Sequence, residues 1–133
     1  MLVDFRSLEK YSLKILKNNK YFKAVPSGDV QDDYENPPQP ELVNMMRTTI
    51  VEAFISAYSA NETPFTKENY RHRRQLQDKS IAKLNEMLAL VEMGVTIFHI
   101  STKRFGYWSA WIVCIRNKVQ AWKESDYKRY RRM

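Results

Sequence analysis

Apolar residues recur along this chain at intervals of three and four, the period of helices that bury one face. Between about Glu41 and Ala60 the repeat runs Val43, Met46, Ile50, Phe54 and Ala57. Between about Phe65 and His99 it runs Ile81, Leu84, Leu88, Val91, Val95 and Phe98. A last stretch carries Phe105, Trp108, Ile112, Ile115, Val119 and Trp122 in the same rhythm, opening after Ser101 or Thr102 as its cap. Near the start, Phe5, Leu8, Ile15 and Leu16 fall on one side of a segment from about Asp4, read as its cap, to Lys20. Val95-Thr96-Ile97 after Gly94 would suit a short strand. The repeat stays in phase through the glycine, which favours the helix.

The punctuation agrees with four segments. The only glycines are 28, 94 and 106, and prolines 26, 37, 38 and 40 fall in one stretch. A Pro-rich loop over 24–40 and a break at Asn61-Glu62-Thr63-Pro64 separate the segments, with a third turn near His99-Ile100-Ser101. Pro40 suits a first helical turn, where its missing N–H needs no partner. The expected fold is all-α: one domain over 1–133, an up-down antiparallel four-helix bundle with helices at about 4–20, 41–60, 65–99 and 102–125 and a basic tail over 126–133.

Composition adds the chemistry. With 44% apolar and 13% aromatic residues the chain has material for a real core, and a chain of this length hides about two-thirds of its unfolded surface. Its 22 Lys and Arg against 15 Asp and Glu leave a formal charge of +7. That excess favours polyanionic partners, nucleic acid or an anionic surface. Cys114 is alone, so no internal disulfide is available and a cytoplasmic location is expected. The opening Met1-Leu2-Val3-Asp4-Phe5-Arg6 lacks a signal-peptide core, and no apolar run is long enough to span a membrane.

Catalytic patterns are missing, and the expectation is a protein that is not an enzyme. His72 and His99 do not follow a Glu at the spacing of a di-metal bundle site, and with one cysteine they make no convincing zinc set. No Gly-rich phosphate loop or nucleophile motif occurs. Neither a metal nor a cofactor is therefore expected. His99 reads as a capping or partly buried residue, and Cys114 as a small packed one.

Basic clusters carry more information. One is Arg71-His72-Arg73-Arg74; the other is Lys123, Lys128, Arg129, Arg131 and Arg132, interleaved with Tyr127 and Tyr130. Arg and Lys neutralise phosphates, and Tyr can stack on exposed bases. In an up-down bundle the start of the third helix and the end of the fourth share one end, so the clusters would merge. Arg116 and Lys123 extend the charge along one flank of the last helix, and Lys118 lies on the other. A solvated face is the competing reading. A second apolar stripe, Tyr107, Ala110, Trp111, Cys114 and Ala121 on the fourth helix with Met87, Leu90, Met93 and Ile97 on the third, fits either a subunit interface or a wide core contact.

Leu42 to Asn61 and the hairpin running to Tyr130, about two-thirds of the chain, resemble the Avd accessory proteins of diversity-generating retroelements. These belong to a four-helix group that includes proteins encoded in ribosomal-RNA intervening sequences. The resemblance is carried by Ile100-Ser101-Thr102-Lys103-Arg104-Phe105, Ile115-Arg116-Asn117-Lys118 and Trp122-Lys123-Glu124-Ser125. Gln120 and Ala121 stand where the family has paired glycines, and the Pro-rich connection is longer than the family's. The resemblance implies a homopentameric ring with a basic surface. It also implies association with a reverse transcriptase and with template RNA or cDNA, in support of error-prone cDNA synthesis. A structural scaffold, or an intervening-sequence-type protein without nucleic-acid function, is the alternative.

Overall fold

The computed structural model of the protein describes residues 1–17, 39–97 and 101–133. Among them are four helices and no strand: α1 Leu2–Lys17, α2 Gln39–Glu62, α3 Tyr70–Ile97 and α4 Thr102–Arg131. Cross-helix pairs give the directions. Asp4 meets Lys118 while Ser12 meets Trp108, so α1 and α4 are antiparallel. Gln77 meets Asp126 while Arg116 meets Asn85, so α3 and α4 are antiparallel too. Arg73 reaches the Thr63 carbonyl while Ser80 reaches that of Ala53, which makes α2 and α3 a third antiparallel pair. Each helix packs on two neighbours, and the four close into an up-down bundle.

Several boundaries differ from the sequence expectation, each for a local reason. α1 starts at Leu2, with the Phe5 N–H donating to the Met1 carbonyl at 3.0 Å. Asp4 is therefore not the cap; it lies in the first turn, where a carboxylate favours the helix dipole. Positions 18–20 of the expected first helix, and 24–38 of the expected loop, lie outside the described residues. Gln39 and Pro40 already belong to α2. That helix runs to Glu62, where Thr63 closes it by donating its hydroxyl to the Ser59 carbonyl at 2.8 Å, ahead of Pro64. Phe65 to Asn69 do not open the third helix as expected. Thr66 instead accepts the Asn69 N–H at 3.1 Å in a separate turn, and α3 starts at Tyr70. Phe98, His99 and Ile100 lie outside the described residues.

Ser101 caps α4 in extended backbone, accepting the Arg104 N–H at 3.1 Å. The helix does not stop near residue 125. It continues to Arg131, so the expected basic tail is helical. No glycine or proline follows Gly106 to interrupt it. Lys128, Arg129 and Arg131 in the last turn suit the negative end of the dipole.

The core joins Phe5, Leu8, Ile15 and Leu16 of α1 to Leu42, Met46, Ile50, Ala53 and Ala57 of α2. Leu84, Met87, Leu90 and Val91 of α3, and Trp108, Ile112, Ile115 and Val119 of α4, complete it. The face of α3 is turned from the expected stripe. Ile81, Leu88 and Val95 are half-buried flanks, whereas Met87 and Leu90, assigned to the second stripe, are core. The reason is that α3 packs against α2 on one side and α4 on the other, so its buried arc is wider than one heptad seam. Ala53, Ala57 and Ala60, all fully buried, let α2 approach α3 closely enough for Ser80 to donate to the Ala53 carbonyl at 2.8 Å. Because Asp4 in the first turn of α1 meets Lys118, the end of α4 runs past α1 and packs on α3 and the 63–69 turn.

Candidate nucleic-acid interface

The antiparallel α3–α4 pair brings the two basic clusters to one end of the bundle. A buried polar network joins them. Asp126, 1% exposed, accepts from Arg73 Nε at 2.6 Å and Nη2 at 3.3 Å, and from Gln77 Nε2 at 2.9 Å. The remaining Arg73 nitrogen donates to the Thr63 carbonyl at 3.0 Å. The same guanidinium lies over the rings of Phe65 and Trp122, at 5.4 Å and 5.1 Å. Tyr70 and Tyr130 stack in parallel, with centroids 4.0 Å apart.

This network corrects one expected site residue. Arg73 is 7% exposed and its donors are engaged inside the protein, so it is a core cation and not a phosphate contact. Its neighbours differ. Arg71 and His72 are exposed, whereas Arg74 is half-buried and donates to the Tyr70 hydroxyl at 2.8 Å. That hydrogen bond holds the Arg74 guanidinium charged even more firmly than usual.

Two of the three cations expected along the flanks of α4 are paired with carboxylates within the chain. Lys118 pairs with Asp4 at 2.6 Å, a contact that raises the lysine's pKa and lowers the aspartate's. Lys123 pairs with Asp78 at 2.5 Å. Arg116 donates to Asn85 at 3.1 Å and Asn117 at 3.4 Å, and its Nε is buried without a partner.

The last stretch of α4 keeps its cations exposed. Lys128, Arg129, Arg131 and Arg132 are all exposed, and Lys128, Arg131 and Arg132 line a shallow open cleft. They span about 6 Å of helix rise. Arg129 makes a long ion pair with Asp126, at 3.9 Å. Lys67, in the turn at the same end, is a further exposed cation that the clustering along the sequence did not single out. Its signal is only visible once the turn is seen to pack beside α4, through Arg129 over Phe65 at 4.0 Å. Exposed Glu62 and Glu68 share that end and limit the positive field there.

The second stripe divides. Leu90 is 4% exposed and belongs to the core, so it is not available to another subunit. The Ile97 side chain lies outside the described residues. Tyr107, Ala110 and Cys114 are exposed on α4, and Trp111 is half-buried. Tyr107, Trp111 and Tyr11 of α1 form an aromatic cluster with centroids 5.1–5.8 Å apart. Among the described residues, no helix is long and apolar enough to cross a membrane.

Fold and surface together define a class: a four-helix bundle whose one end presents exposed cations on an ordered helix. Compared with protein-family models, curated proteins and solved structures, the chain matches none.

Proposed function

We propose that this protein is a non-catalytic, nucleic-acid-binding accessory subunit of the Avd-like kind. In this reading it works in the cytoplasm, assembles with copies of itself, and holds template RNA or cDNA beside a reverse transcriptase. The observation that carries the nucleic-acid part is the end of α4. Lys128, Arg131 and Arg132 stand exposed there with no carboxylate partner among the described residues. Free cations release the counterions of a phosphate chain on contact, which drives binding without sequence preference.

With Lys67, Arg71 and Arg129 the surface offers six exposed cations per protomer. A plot of log affinity against log salt should then have a slope of roughly −4 for a single strand and −5.5 for a duplex, if all engage. The test is anisotropy of a labelled RNA across a salt series, with light scattering to count protomers. Replacing Lys128, Arg131 and Arg132 with Ala should flatten the single-strand slope by about two. Binding that ignores salt, or that survives this substitution unchanged, overturns the proposal.

A scaffold that binds only protein is the second reading, favoured by the exposed Tyr107 beside Trp111 and Tyr11. It expects self-association with no affinity for RNA at any salt concentration.

A further inference from the structure

We propose that the basic end reads the sugar–phosphate backbone alone, and that its aromatic rings act as backing for arginines, not as platforms for bases. The inference rests on the nucleic-acid reading above and narrows it to a ligand class: a phosphodiester chain recognised by charge, whether or not it carries bases.

Proteins that hold single strands by stacking need open aromatic faces for successive bases. Here each ring already has a partner on at least one face. The guanidinium carbons of Arg74 and Arg131 lie over the Tyr127 ring, at 5.6 Å and 5.8 Å. Phe65 has Arg129 over it at 4.0 Å and Arg73 at 5.4 Å. Trp122 is covered by Arg73 at 5.1 Å. Tyr130 stacks on Tyr70 within 6° of parallel, and Tyr70 is itself buried.

A guanidinium laid on a ring keeps its N–H edges free, so the stack and a phosphate contact are compatible on the same arginine. Holding the planar group in place also lowers the ordering cost when phosphate binds. A base entering the same stack would displace the cation that its own phosphate needs. Of the ring-backed arginines, Arg129 and Arg131 are therefore the ones that touch the ligand, and Phe65 and Tyr127 position them.

The experiment measures competition at low salt between two oligodeoxynucleotides of equal length, one natural and one abasic throughout, on the full chain and on Tyr127→Ala. Tyr127 is 37% exposed, so its truncation is compatible with folding. The abasic strand is expected to bind within about threefold of the natural one. Tyr127→Ala is expected to weaken both strands by the same factor, about two- to fivefold, because it loosens Arg131. An abasic strand that binds tenfold or more weakly overturns the inference while leaving nucleic-acid binding in place. So does a Tyr127→Ala loss confined to the base-bearing strand. Failure of both strands to bind overturns the nucleic-acid reading itself.

Discussion

Removing the Asp126 carboxylate is the most informative single perturbation of this fold. The side chains of Arg73 and Asp126 are 9% and 2% exposed, and the pair is held by two hydrogen bonds with a third from Gln77. Truncating one member of such a pair strands the other charge in a region water reaches poorly, at a cost of about 3–5 kcal/mol. Arg73 would keep its bond to the Thr63 carbonyl and its contacts with Phe65 and Trp122, which places Asp126→Ala near the lower end, about 3 kcal/mol. In a domain of this size that corresponds to a fall in Tm of about 10–15 °C. Thermal melts followed by circular dichroism, with urea titration as a second measure, read it directly. Replacing the whole network with apolar groups, Arg73→Met with Gln77→Leu and Asp126→Leu, is the decisive control. Because the desolvation cost of the pair disappears together with its attraction, that variant should return to within ~1 kcal/mol of the parent or exceed it. It should also leave the salt dependence of the proposed RNA binding unchanged, since the Arg73 donors are engaged inside the protein. An Asp126→Ala cost below about 1 kcal/mol, or a triple variant no better than the single one, refutes the reasoning.

Two further outcomes follow from local structure. Gly106 lies exposed in the first turns of α4, and a Cβ added there meets nothing within 4 Å, so Gly106→Ala should stabilise the protein by about 0.5–1 kcal/mol in urea titration. Partial burial raises the Glu9 pKa, against the pull of Arg6 and Lys10. A carboxyl that holds its proton more tightly in the folded state adds stability below that pKa and loses it as pH rises through it. Glu9→Gln should therefore raise the Tm near neutral pH, and the difference should vanish by about pH 3, where the carboxyl is protonated in both states.

Periodicity and punctuation carried most of the architecture. The stripe Trp108, Ile112, Ile115, Val119 is buried as the spacing implies, because a helix with one apolar face has one way to hide it. The Ser101 cap and the Pro64 break act through bonds and sterics within a few residues, so they are legible without any tertiary knowledge. Chain order alone brought the start of α3 and the end of α4 together, since alternating directions follow from the connectivity of an up-down bundle.

What tertiary structure decided was the fate of individual side chains within those patterns. Arg71, Arg73 and Arg74 look equivalent in sequence, yet one is exposed, one is buried and one is half-buried. Helical rotation points Arg73 at a carboxylate 53 residues away, a distance over which composition carries no information. Lys118 and Lys123 likewise lost their free charge to Asp4 and Asp78, partners set by packing and not by proximity along the chain. Leu90, on a stripe that fitted either a subunit interface or a wide core contact, is core because two neighbours, not one, define the buried arc of α3. A period tells which residues share a face; only the neighbouring helices determine how much of the circumference that face includes and which charges find each other across it.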